Sequence, residues 1–217
     1  MSQVRLVAST TPVIEGVRSA EDLIVYCARV SNPGNQLNME TGERLLQYCI
    51  NHGHWSVFEQ ASMTVEIRTS RAIAAQIIRH RSFAFQEFSQ RYAEVAEAEP
   101  VELRLQAETN RQSSTEPVKS EFVAQHMRDA IASSLHAYRF LIKQGVAREC
   151  ARMVLPMAAS TTLYMTGSCR SWIHYLQQRL DAHTQLEHWR IAMDISELCF
   201  ARVFPTVHAM LAEMAGA

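Results

Sequence analysis

The chain has 217 residues, 47% of them hydrophobic, and a formal net charge of -1. That length suffices for one compact domain, residues 1–217, with a substantial core. The near-neutral balance excludes a general attraction for DNA or an anionic membrane, so a basic patch has to be argued from particular arginines.

Residues 3–8 read as a strand and residues 20–30 as a helix, ended by Asn32, Pro33, Gly34 and Asn35. A second helix covers 40–51, with Gly53 near its end. Residues 62–69 alternate, with Met63, Val65 and Ile67 on one face, the pattern of a strand. Ser70 can cap a helix over 71–80. Residues 93–105 are acidic and then strand-like, and the polar residues 106–118 read as a mobile surface loop. A long helix over 119–143 is closed by Gly145, and a shorter one ends before Pro156. Residues 160–166 predict a strand with Thr162, Tyr164 and Thr166 on one face. Ser168 can cap a helix to Leu180, and a last helix spans 183–203. Helix outweighs strand and the two do not alternate regularly. The fold class is therefore α+β, a helix-rich domain with a central mixed or antiparallel sheet.

No apolar stretch approaches the roughly 20 residues that cross a bilayer. The N-terminal MSQVRLVAST lacks the long apolar region of a secretory leader. Cys27, Cys49, Cys150, Cys169 and Cys199 contain no C-x-x-C pair and read as reduced thiols of a cytoplasmic protein. His52 and His54 alternate, but no nearby Cys or Asp completes a ligand set, and His183 and His188 miss the i, i+4 spacing, so no metal is expected.

Residues 79–92, RHRSFAFQEFSQRY, concentrate Arg79, His80, Arg81 and Arg91 among Glu87, Ser89, Gln86, Gln90 and Tyr92. Guanidinium groups bind phosphate through paired hydrogen bonds, and the amides, hydroxyl and carboxylate suit a sugar or a base edge. Phe83, Phe85 and Phe88 are interleaved with them, which suits a pocket. The competing reading is an amphipathic strand whose arginines pair with surface acids. Gln76, Arg79 and His80 share a face if the preceding helix persists.

The run resembles the signature of the flavin-dependent thymidylate synthases, R-H-R-x-x-S-x-N-E-x-S-x-R-Y. Arg79, His80, Arg81, Glu87, Ser89, Arg91 and Tyr92 match; Ala84 and Gln86 stand where the pattern has serine and asparagine. Residues 53–59, GHWSVFE, are similar to the family's G-H-x-[ST]-x-x-E, and ARMVLP around Arg152 is similar to A-R-x-V-L-P. In SCRSWIHYLQQRLD, Arg170, Ser171, Arg179 and Asp181 match, while Ser168 and His174 replace asparagines. Trp172, Ile173 and Leu176 of that segment read as core. Arg179 lies nine residues beyond Arg170, which at about 100° per residue places it on the opposite helix face, roughly 13 Å further along. One small pocket in one chain cannot use both, so a site assembled from neighbouring chains is expected. The resemblance agrees, since it implies a homotetramer with shared sites.

The resemblance further implies the thymidylate synthase-complementing-protein fold and reductive methylation of dUMP to dTMP. The carbon comes from 5,10-methylenetetrahydrofolate and the hydride from FAD, itself reduced by NADPH. It assigns to dUMP the residues Gln76, Ile77, Ile78, Arg79, Glu87, Phe88, Ser89, Gln90, Arg91, Arg152 and Arg179. To FAD it assigns His54, Ser56, Arg79, His80, Arg81, Glu87, Ser168, Cys169, Arg170 and His174. Arg179 is the expected catalytic group, because a fixed guanidinium can stabilise charge building on the pyrimidine without giving up its proton. Neither nucleic acid nor membrane is expected as a partner. Two other readings stay open: a flavin-free nucleotide-binding protein, and a small nucleic-acid-binding module using Arg79, Arg81 and Arg91, which the neutral charge and the phenylalanines disfavour.

Overall fold

The computed structural model describes residues 3–95 and 97–216. Strands β1 (Gln3–Ser9), β2 (Ser62–Ser70), β3 (Ala84–Glu87), β4 (Arg104–Gln106), β5 (Ser114–Pro117) and β6 (Ser160–Ser168) make two sheets. The larger has the order β1-β2-β6-β3 with every pairing antiparallel, and β4 and β5 form a separate hairpin. Alternation decides which face is covered. Met63, Val65 and Ile67 of β2 and Leu163 and Met165 of β6 are buried on one side, while Thr64 and Thr166 meet at 2.9 Å on the other.

The helices are α1 (Ala20–Ala28), α2 (Gly42–Asn51), α3 (Arg71–Ile77), α4 (Glu121–Lys143), α5 (Arg148–Ala151), α6 (Cys169–Arg179), α7 (Leu186–Ile195), α8 (Ala201–Val203) and α9 (Pro205–Gly216). Their starts follow from local chemistry. Ser19 and Asp22 form a reciprocal capping box on α1, at 3.0 and 3.1 Å. Ser70, Ser120 and Ser168 accept from backbone N–H groups at the starts of α3, α4 and α6. The covered sheet face packs on α6 and α7 through Trp172, Ile173, Leu176, Ile191 and Ile195. A smaller cluster of Val95, Tyr138, Ala151 and Ala159 holds α4 and α5. At the start of α9, buried Glu21 accepts from Val207 N–H at 2.8 Å. Burial raises the carboxyl above its usual range, against the hydrogen bonds from Val207 and Thr206.

The structure corrects several sequence expectations. The helix expected to reach His80 ends at Ile77, and Arg79 and His80 follow in a tighter turn with bonds to Gln76 O and Ile77 O. Residues 106–118 are not a plain loop: they carry β5 of the hairpin, with Leu105 and Ser114 on opposite strands. Of the strand-like 93–105, only Arg104 and Leu105 enter a strand, and Ala98 forms one bridge to Ala159. Residue 96 of that segment lies outside the described residues. The helix expected over 183–203 begins at Leu186 and passes through a π-helical turn, Ser196–Phe200, before α8. Pro205 then starts α9, for which the sequence reading had no element.

Phe83 fixes the arginine-rich turn to this frame. Its ring lies over Gly167, where an added Cβ would come within 2.4 Å of it, and meets Trp172 edge-on at 4.7 Å. Only a residue without a side chain lets the ring sit there. Ser171 Oγ donates to Ser82 O at 3.1 Å and ties the same turn to α6.

Candidate active site

Anchored by Phe83, the turn after α3 presents Arg79, His80 and Arg81 along one side of an open cleft of about 550 Å³, with Ser171, His174 and Tyr175 of α6 on the other. Arg79 and Arg81 are exposed and have no ion pair among the described residues. His174 of the cleft carries Trp55 of the 53–59 segment, with ring centroids 5.0 Å apart. His54 and Ser56 flank that tryptophan on the surface. Tyr48 stacks on His52 at 4.0 Å and meets His54 edge-on. Among the described residues no group of three or more His, Cys, Asp or Glu is placed to hold a metal ion.

Arg179, at the far end of α6, donates from Nε to Nε2 of His80 at 2.9 Å. The acceptor nitrogen carries no proton, so His80 bears its hydrogen on Nδ1. Burial, helped by the Arg179 charge, lowers the His80 pKa to about 4. Arg179 forms no ion pair among the described residues. Its charge therefore stands beside a neutral imidazole. Tyr175 and His188 complete the surround; burial pushes the Tyr175 phenol up and lowers His188 to about 3, with the Arg179 charge adding to the latter.

The later residues of the arginine-rich run occupy another place. Ser89, Arg91 and Tyr92 line a depression of about 350 Å³ with Arg148 and Glu149 of α5, where Arg91 pairs with Glu149 at 3.1 Å. The amide nitrogen of Gln90 is buried without a hydrogen-bond partner among the described residues, a donor awaiting an acceptor. Arg152 follows α5 and is half-buried. Glu87 faces neither cleft freely: its carboxylate pairs with Arg71 and accepts from Thr161 Oγ1 at 2.9 Å. Arg170 pairs with Glu59, away from Arg179.

Two expected ligand contacts have no free side chain. Ile77 and Cys169 are both fully buried, because they fall on the core faces of α3 and α6. Only their backbones could serve a ligand, whereas Ile78 and Phe88 are exposed. Burial raises the Cys169 thiol well above its usual range, with the Glu21 charge adding, so it is no nucleophile. Sequence reasoning missed Tyr175 and His188. Tyr175 lies among the core residues of α6, and the sequence pairs His188 only with His183, which is exposed while His188 is buried.

A family model described as thymidylate synthase complementing protein matches residues 12–206. A probable flavin-dependent thymidylate synthase of Paramecium bursaria Chlorella virus 1 is 48% identical over 207 residues, covering 94% of this chain and 95% of the viral protein. A flavin-dependent thymidylate synthase of Synechocystis sp. is 47% identical, covering 96% of this chain and 98% of its own. Among solved structures, the UMP/dUMP methylase PolB of Streptomyces cacaoi, bound with 5-Br dUMP, superposes with a TM-score of 0.84 at 27% identity, covering 98% of this chain and 95% of that one. The match spans the unpaired arginines, the capped helix α6 and Arg179 alike, and the chain belongs to the family of flavin-dependent thymidylate synthases.

Proposed function

We propose that the chain, acting as one domain, methylates dUMP to dTMP reductively, with 5,10-methylenetetrahydrofolate as carbon donor and FAD reduced by NADPH. The observation that carries this reading is Arg179, a half-buried cation set against neutral groups and paired with no carboxylate among the described residues. Such a cation is poised for negative charge that arises only during reaction. A dUMP site is further supported by the 5-Br dUMP of the related PolB.

The cleft fits a flavin dinucleotide by its donor set. Arg79 and Arg81 are unpaired cations suited to a pyrophosphate, and His80, Ser171 and His174 offer hydrogen bonds beside them. His54, Ser56, Ser168 and Arg170 extend that lining, and FAD when bound supplies the hydride chemistry. Ser89 and Arg91 of the smaller depression and the buried Gln90 amide would hold the nucleotide phosphate. Arg152 and Gln76 are assigned to the same nucleotide by the family resemblance, Gln76 being placed at the base in this reading. Binding there requires Arg91 to exchange Glu149 for phosphate or to keep both. His80, kept neutral, accepts from Arg179 Nε and so aims the remaining N–H groups of the guanidinium.

The active unit in this reading is a cytoplasmic homotetramer that binds neither nucleic acid nor membrane. Arg170 and Arg179 face apart, and large apolar side chains such as Phe122, Phe140 and Met153 lie exposed, as expected where other copies complete the site. The test is dTMP formation by purified protein with NADPH and the folate omitted in turn. The expected preparation is yellow, bleaches with NADPH and makes dTMP only when both are present. dTMP formed by flavin-free protein refutes the reading.

A further inference from the structure

A chain of hydrogen bonds runs from the β4–β5 hairpin to Tyr175 on the buried face of α6, and every step has a direction. Arg104 Nη2 pairs with Glu187 Oε1 at 2.7 Å. Glu187 Oε2, which as a carboxylate only accepts, receives Gln185 Nε2 at 2.9 Å. That fixes the Gln185 amide, whose Oε1 then receives Gln76 Nε2 at 2.6 Å. Gln76 Oε1 is left facing His188 Nδ1 at 3.3 Å, and His188 Nε2 faces the Tyr175 hydroxyl at 3.2 Å. His188 is fully buried and neutral, so it carries one proton. An oxygen at Nδ1 puts that proton on Nδ1, and Nε2 must then accept from Tyr175. The opposite tautomer would set a lone pair against a carbonyl oxygen, and turning the Gln76 amide to relieve this would set Gln185 against the Glu187 carboxylate.

We propose that His188 and Tyr175 are positioning residues that lock the Gln76 amide in one orientation, and that this locked amide selects uracil over cytosine. The proposal rests on the dUMP reading above. With one N–H given to Gln185 and one lone pair taken by His188, Gln76 keeps one N–H and one lone pair for a ligand. Uracil offers a carbonyl oxygen beside an N3–H, and the locked amide matches them in that order. Cytosine offers an amino group beside a ring nitrogen, which suits the amide turned over. A freely rotating glutamine reads both bases; a fixed one reads one, because the wrong base leaves buried polar groups unpaired. The same node reaches the catalytic end, since the His80 ring meets Tyr175 at 4.9 Å and His188 at 6.2 Å.

The test is calorimetric titration of the flavin-loaded protein with dUMP and with dCMP. His188→Leu removes the donor to Gln76, and His188→Gln moves an amide to the Tyr175 side, out of reach of Gln76. Both are expected to lower the preference for dUMP about 10-fold, the worth of one such hydrogen bond. His188→Asn places an N–H where Nδ1–H stood and is expected to restore most of the preference. Gln185→Ala frees the other end of the amide from an exposed position and decides the matter if the core variants do not fold. Wild-type preference in both His188→Leu and Gln185→Ala, or in Gln185→Ala alone where His188→Leu does not fold, would overturn the proposal while leaving the dUMP reading standing. No dUMP binding by the wild-type protein would overturn both.

Discussion

The two ends of α6 hold arginines in opposite electrostatic states. At the N-terminal end Arg170 pairs with Glu59, both side chains nearly half exposed, at 42% and 47%. At the C-terminal end Arg179 is half-buried, pairs with no carboxylate among the described residues, and donates to a neutral histidine. The first arginine has its charge answered by a carboxylate and by water. The second meets only a neutral acceptor and partial access to water, with no carboxylate among the described residues, and its neighbours respond: His80 and His188 are lowered and kept neutral, with burial as the larger cause. An unanswered charge destabilises the resting chain and is useful only to something anionic that arrives later. The comparison therefore separates a guanidinium fixed by an ion pair from one left without a carboxylate among the described residues, the one that the proposed reading assigns to the reacting base.

The largest effect that sharpens this contrast is loss of the unpaired charge. Arg179→Ala is expected to lower the rate of dTMP formation by a factor on the order of 10² to 10³, the usual effect of removing one preorganised donor. The flavin absorbance of the purified variant should persist, because the cleft donors Arg79, Arg81 and His174, which the proposed reading assigns to the flavin, are untouched. Turnover at the wild-type rate would remove Arg179 from the chemistry and dissolve the distinction between the two ends.

A second expectation concerns acid. His188 lies near 3 in the folded chain against about 6.5 unfolded, so the unfolded state binds the extra proton between those values. Its contribution to stability is thus fully present above pH 6.5 and is lost as pH falls toward 3, at on the order of 1 kcal/mol per pH unit. His80, lowered to about 4, works in the same direction over pH 6.5 to 4. Denaturant unfolding at pH 7 and pH 5 reads this directly. Arg179→Ala should shrink the difference, since it removes the secondary cause and leaves burial. Equal stability at the two pH values would mean that neither histidine is held neutral.

Much of the frame was legible in the sequence because it is written in local terms. Met63, Val65 and Ile67 face the core, and Ser70 and Ser168 cap their helices, as period and capping chemistry predict. The opposed arginines of α6 followed from helical geometry alone, and their different partners were within reach of no local rule. The misses share one cause: they depend on contacts between segments far apart in the chain. The helix after Ser70 stops at Ile77 although its sequence could continue, because Phe83 must reach Gly167. Tyr175 looks like core and His188 like an isolated histidine until folding sets them against each other and against Gln76. Ile77 and Cys169 carry the family's positions but fall on core faces, which the motif does not encode.

The smallest effect belongs to the other end of the helix. Arg170→Ala removes an ion pair whose two members are both open to solvent. Exposed pairs contribute about 0 to 1 kcal/mol, because water screens them and ordering two long side chains costs entropy. Unfolding of the flavin-stripped protein should therefore shift by less than about 1 kcal/mol, and less again in high salt. Flavin affinity is the measurement that gives the residue a role, since Arg170 lies on the same helix as the cleft residues Ser171 and His174. Weaker flavin binding with unchanged stability places Arg170 with the ligand-binding cations. A stability loss beyond about 2 kcal/mol exceeds what an exposed pair supplies. It would place the Arg170–Glu59 pair in an interface between copies, where the loss of one partner strands the other charge.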